Sequence, residues 1–232
     1  GVYAGLVTVN KGITVRSVNG AEATTIQGAS SRCVNMNHAD AVIAGFTLTG
    51  GTADWGGGAY IDAGALERCV IRGNSASGRK GSEQDRAFGG GVYGGTLWNC
   101  IVSNNLATAY GDQYHRPLAQ GGGTYGANLR NCLVAGNEAN SRFAWVDGDI
   151  TAGGGVSGGS LVNCTVAGNI ASLDYLEAFG RLMGSGCNGS EVRNSIVYGN
   201  ICYYSKESWG WSGLLLDDVS GGSVSFSCAP DI

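Results

Sequence analysis

Apolar and polar positions alternate in short bursts along the chain. The N-terminal part reads Leu6-Val7-Thr8-Val9, Ile13-Thr14-Val15-Arg16-Ser17-Val18 and Thr24-Thr25-Ile26, divided by Lys11-Gly12 and Asn19-Gly20. A two-residue period with turn residues between bursts predicts short strands. Further on the bursts repeat. Leu66-Glu67-Arg68-Cys69-Val70-Ile71-Arg72-Gly73-Asn74 recurs at 97–105, 129–137, 161–169 and 192–200, and its closing asparagines lie 31, 32, 32 and 31 residues apart. Within the unit, Cys100 and Val102 share a face with Cys69/Ile71, Cys132/Val134, Cys164/Val166 and Ser195/Val197. The residue between them varies as Val70, Ile101, Leu133, Thr165 and Ile196, so that side tolerates a polar residue and the constant side points inward.

A second block separates the bursts: Gly56-Gly57-Gly58-Ala59-Tyr60, Gly89-Gly90-Gly91-Val92-Tyr93, Gly121-Gly122-Gly123-Thr124-Tyr125, Gly153-Gly154-Gly155-Val156-Ser157 and the looser Gly184-Ser185-Gly186-Cys187. Asparagine and glycine at fixed offsets supply corners with φ > 0, so each unit is a coil of about three strands. Stacking such coils gives an all-β parallel β-helix, a solenoid in which like side chains repeat at about 4.8 Å. That stacking predicts an internal cysteine ladder of Cys69, Cys100, Cys132 and Cys164 and an asparagine ladder of Asn99, Asn131, Asn163 and Asn194, with Asn163 turned inward.

The bare unit has 23 residues, since Phe46-Thr47-Leu48-Thr49-Gly50-Gly51 aligns with 69–74. Gly51 stands 5 residues before its glycine block, whereas Asn74, Asn105, Asn137 and Asn169 precede theirs by 15, 16, 16 and 15. Four insertions, at 77–88, 108–120, 140–152 and 172–183, therefore stack at one corner. A helix is suggested only at 173–182. No domain boundary is visible, so residues 1–232 read as a single solenoid.

Composition narrows the function. Glycine numbers 42 of 232 residues and proline only 2, without the three-residue period of collagen. With 43% hydrophobic residues and a net charge of −4, the chain can bury a core. A nucleic-acid binder is disfavoured, because 14 Lys+Arg are outnumbered by 18 Asp+Glu. No stretch approaches the roughly 18 apolar residues of a membrane helix. The opening Gly1-Val2-Tyr3, without an initiator Met, suggests a processed or excised piece. The stacked cysteines are expected to be free thiols, because parallel in-register side chains suit the disulfide torsion poorly. Cys33, Cys187, Cys202 and Cys228 lie off that column, and a Cys187–Cys202 or Cys202–Cys228 bridge stays open.

The units L-x-N-C-x-V-x-G-N-x-A alternating with G-G-G-V-Y resemble the right-handed parallel β-helix repeat proteins of bacterial surfaces. The likeness covers about residues 41–200, and 1–28 is similar to the opening coil of pectate-lyase-like repeats. Asn74-Ser75-Ala76 and Asn169-Ile170-Ala171 look like the repeats of polymorphic outer-membrane proteins, and 223–228 like the end of repeat regions in large anchored secreted proteins. The resemblance implies a right-handed coil and a secreted protein at the bacterial cell surface. Both termini break off within the pattern, which suggests a fragment or an open-ended subunit.

The inserted flank gathers aromatic and charged residues, a mixture that suits sugar or protein contact. The expected binding residues are Trp145, Tyr114, Phe143, Tyr175, Arg116 and Arg142. Asp147 and Asp149 in Val146-Asp147-Gly148-Asp149 are the candidate calcium ligands, the one cofactor suggested. Asp217-Asp218 is the other carboxylate pair, and His38 and His115 are expected in a turn and a loop. A non-catalytic structural or adhesive module follows, with partners in its own kind end to end, in neighbouring domains of the same polypeptide, or in a glycan or cell-surface protein. The alternative is a polysaccharide lyase or glycoside hydrolase acting in the flank.

Overall fold

The structure, a computed structural model, describes residues 1–78, 85–112, 117–144, 150–176, 181–206 and 211–228. It is an all-β parallel solenoid of about six turns. The coil around residue 130 shows the path. Strands Thr124–Tyr125 and Asn128–Arg130 lie in a thirteen-stranded sheet, and Leu133–Ala135 lies in an eight-stranded one. Glu138–Ala144 then runs out through a seven-stranded sheet, and Ile150–Ala152 returns in a four-stranded one. Strands pair in parallel with their counterparts one coil away, as in Leu97↔Leu129 and Leu129↔Leu161, except that Ile201–Lys206 and Trp211–Leu216 pair antiparallel at the edge of the seven-stranded sheet. No helix among the described residues is long and apolar enough to cross a membrane.

The core is built of stacked columns. Ile43, Leu66, Leu97, Leu129, Leu161 and Val192 form one, and Leu48, Ile71, Val102, Val134, Val166 and Val197 another, all buried. Their outward neighbours Ile101, Leu133 and Ile196 are exposed, as the alternation requires.

Cys69, Cys100, Cys132 and Cys164 stack inside, at 1–4% exposure. They are more than small apolar fillers. The Cys69 N–H donates to Cys100 Sγ at 3.5 Å and the Cys100 N–H to Cys132 Sγ at 3.4 Å, while each thiol faces the carbonyl two residues before it. Ser195 continues the column, its Oγ accepting from the Cys164 N–H at 3.0 Å. All eight cysteines are free, including Cys187 and Cys202, which are buried in different sheets. Neither bridge left open by the sequence is present.

The asparagines need correcting. Asn99, Asn131, Asn163 and Asn194 do stack, but on the outside: all four are exposed, with φ of 55, 52, 56 and 47°. Asn131 Nδ2 donates to Asn99 Oδ1 at 3.2 Å, and Asn163 to Asn131 at 3.2 Å. A left-handed backbone just before the inward cysteine turns the asparagine side chain to solvent. The inward ladder is made by the repeat's closing residues, Asn74, Asn105, Asn137, Asn169 and Asn200, each at 2% exposure or less. Each Nδ2 donates to the next coil's Oδ1 at 2.9–3.0 Å as far as Asn200, which donates to Asp218 Oδ1 at 2.6 Å. The same oxygens accept the asparagine backbone N–H groups. At the other end Cys33 Sγ contacts Asn74 Oδ1 at 3.6 Å.

That ladder explains the glycine triplets. A Cβ on Gly123 would stand 2.6 Å from the Gly155 carbonyl oxygen and 3.1 Å from Asn137 Cγ, and Gly91 is similarly hemmed in by Gly123 and Asn105. The first glycine of each triplet turns the corner, at φ of 60–66° from Gly56 to Gly153.

The insertions stack at one corner, as their spacing predicts, but as strands. Outgoing and returning strands face one another across Ala76, Ala87, Ala107, Ala109, Ala119 and Ala139. Small side chains let the two layers approach, and Ser141 and the buried Leu173 continue the Ala109 column in later coils. The stretch 173–182 is not helical where described: Ile170–Leu176 and Arg181–Met183 are both strands, because neighbouring coils offer each of them a parallel partner. His38, expected in a turn, lies within the strand Val34–Ala44 where its pairing register shifts, and its Nδ1 accepts the Asp40 N–H at 3.2 Å.

Candidate functional site

The second residue after each early glycine triplet points outward, and parallel register places successive copies beside one another: Tyr60↔Tyr93 and Tyr93↔Tyr125. Their rings stack, with centroids 5.0 Å apart at 4° for the first pair and 5.4 Å at 19° for the second. The residues just before the blocks add a second column, Trp55 and Phe88. Trp55 stacks on Tyr93 at 5.6 Å and Phe88 on Tyr125 at 4.5 Å. Stacked rings consume one another's faces, so this five-ring strip offers edges and phenol groups to solvent along most of its length. Burial and the flanking tyrosines raise the Tyr93 pKa above its ordinary value.

The strip ends at Trp55, 37% exposed, and at Arg32, whose guanidinium lies 5.0 Å from the Tyr60 ring centroid. Arg32, Asp54, Trp55 and Tyr60 enclose a cleft of about 240 Å³. A hollow of about 520 Å³ shares Arg32 and Asp54 and is edged by Ser31, Asn35 and Ser77. Its position follows from the insertions. Cys33 and Gly56 are reached by direct five-residue turns from Gly28 and Gly51, whereas the next coil runs out through Ser75–Ser77 into the first insertion. The cleft is the step between uninserted and inserted coils. Burial lowers the Arg32 pKa, while Tyr60 and Asp54 act to raise it; an arginine remains charged there.

On the inserted flank, Arg142 is the one expected binding residue whose side chain is described. Its Nε lies 3.4 Å from Asp174 Oδ2, and its guanidinium is 5.9 Å from the Tyr110 ring centroid. Asn140 Nδ2 donates to Glu138 Oε1 and Asp174 Oδ2, each at 3.1 Å, and Ser172 Oγ donates to Glu138 at 2.6 Å. Phe143 and Tyr175 lie in the adjacent strands Glu138–Ala144 and Ile170–Leu176. Trp145, Tyr114, Arg116, His115, Asp147 and Asp149 lie outside the described residues. Of the other carboxylate pair, Asp218 terminates the buried asparagine ladder, and Asp217 Oδ2 accepts the Gly184 N–H at 2.7 Å.

Arg32, Asp54, Trp55 and the tyrosine column were not singled out by sequence reasoning. The recurrent Gly-Gly-Gly-x-Tyr carries the column, but the cleft needs the step in the stack. Comparison with known proteins finds no matching family model, no matching curated protein and no matching solved structure.

Proposed function

We propose that the chain is a non-catalytic structural and adhesive module, exported and held at a bacterial surface, in which a rigid solenoid presents a fixed contact strip. The observation carrying this reading is the in-register aromatic column that runs along the outside and ends in the half-exposed Trp55 cleft. Supporting it, the buried asparagines and Asp218 hydrogen-bond between coils, which holds the outer columns in place. The test is retention of the full chain on polysaccharide- and glycoprotein-coated surfaces, with the polymer's length followed in parallel. Retention without shortening is expected.

A second reading has its own observation. Glu138 and Asp174 share the amide of Asn140, and glycoside hydrolases work with paired carboxylates. Polymer shortening that disappears in Glu138→Gln or Asp174→Asn, or in the Asp147→Ala, Asp149→Ala double variant, would establish a lyase or hydrolase instead.

A further inference from the structure

Resting on the contact-module reading, we infer that the cleft formed by Arg32, Asp54, Trp55 and Tyr60 binds one pyranose unit of a neutral glycan. Three observations converge on it. The first is charge. Arg32 and Asp54 line one small cleft, so a guanidinium that can only donate stands with a carboxylate that accepts. Their charges cancel, which favours neither an anion nor a cation. A sugar hydroxyl donates and accepts at once, so neighbouring hydroxyls can hydrogen-bond to both groups.

The second is apolar surface of the right shape. Trp55 is 37% exposed and lines the cleft, while Tyr93 and Phe88 pack against it with centroids 5.6 and 5.8 Å away. An indole fixed in this way offers a flat patch to the C–H face of a pyranose at little ordering cost. Arg32 is held likewise by Tyr60. The third is extent. The cleft, about 240 Å³, suits one ring, and the adjoining 520 Å³ hollow continues from the same Arg32 and Asp54 past the short polar side chains of Ser31, Asn35 and Ser77. A chain of sugars can continue there through hydroxyl contacts alone.

The experiment is calorimetry and saturation-transfer NMR on the full chain with cellohexaose, maltohexaose and mannohexaose as neutral probes and hexagalacturonate as the charged one. At least one neutral probe should bind, with transfer strongest to sugar ring C–H protons. Trp55→Ala should weaken it at least tenfold, as should Asp54→Ala and Arg32→Met, which keep the packing of Trp55. Trp98→Ala, removing an exposed tryptophan of the thirteen-stranded sheet, should leave binding unchanged. Circular dichroism checks that each variant folds. Neutral binding indifferent to all three cleft variants overturns the cleft and leaves the contact module standing. Tighter, cleft-dependent binding of hexagalacturonate overturns the neutral ligand. A chain that adheres to coated surfaces but binds no probe overturns the sugar site alone, whereas one that neither adheres nor binds overturns both readings.

Discussion

Asn137 has almost no freedom to change. Its Oδ1 accepts the N–H and Nδ2 of Asn105 at 3.0 and 2.9 Å, and its own Nδ2 donates to Val102 O at 3.0 Å and Asn169 Oδ1 at 2.9 Å. Asn137→Ala leaves several buried groups unpaired, and denaturant melts should show a loss of at least about 3 kcal/mol. Asn131 has the same residue type and period, but its amide is exposed. Asn131→Gly, which keeps φ near 52°, should cost well under about 1 kcal/mol. Equal losses for the two would overturn the assignment of the inner ladder.

The thiols predict a pH limit. Burial, reinforced by Asp217, pushes the Cys202 pKa up to about 12, and burial raises Cys33 and Cys187 as well. The folded chain then holds protons that the unfolded chain releases from about pH 9. Stability from these groups is complete below that pH and is lost above it, at about 1.4 kcal/mol per pH unit per thiol until the folded value is reached. Alkaline melts should therefore fall steeply from about pH 9 to 12. Below that range an alkylating reagent should modify only Cys228, the single exposed thiol. The residue types were legible in the sequence; which asparagine column faces inward was not, because both share one period and the sign of φ at the corner decides.

At the scale of the element, two kinds of glycine behave differently. Gly123→Ala drives a Cβ to 2.6 Å from the Gly155 carbonyl, where neither backbone can yield, and should cost about 3 kcal/mol. Gly168→Ala meets nothing within 4 Å and bears only the left-handed backbone penalty at φ 62°, about 1–2 kcal/mol. Thermal melts of the two variants distinguish close approach from turn geometry. Strand alternation was legible wherever one face is buried, as at Cys100 and Val102. The insertions were less so. A stretch such as Leu173-Asp174-Tyr175-Leu176 can form helix or strand locally, and the parallel partners Ser141, Arg142 and Ala144 on one side and Tyr204 and Ser205 on the other select the strand.

Across the whole molecule each coil touches chiefly its neighbours, so stability is a sum over coils and their interfaces. A break in the ladder at Asn137 should stay local. Hydrogen exchange on Asn137→Ala should lose protection in Ile101–Ser103, Leu133–Ala135 and Thr165–Ala167, and keep it in Thr47–Thr49. Uniform loss along the chain would show a single cooperative unit instead.

Repetition let the sequence determine the solenoid, its inward apolar columns and the corner that carries the insertions, because a residue repeated at one offset must meet its own copy. Tertiary structure alone decided which asparagines are buried, that the insertions form a thin alanine-cored double layer, and that Arg32, Asp54 and Trp55 share a cleft. Those three outcomes depend on backbone handedness at corners, on partners one coil away, and on the single step where an uninserted coil meets an inserted one. None of these is a property of a local stretch of chain.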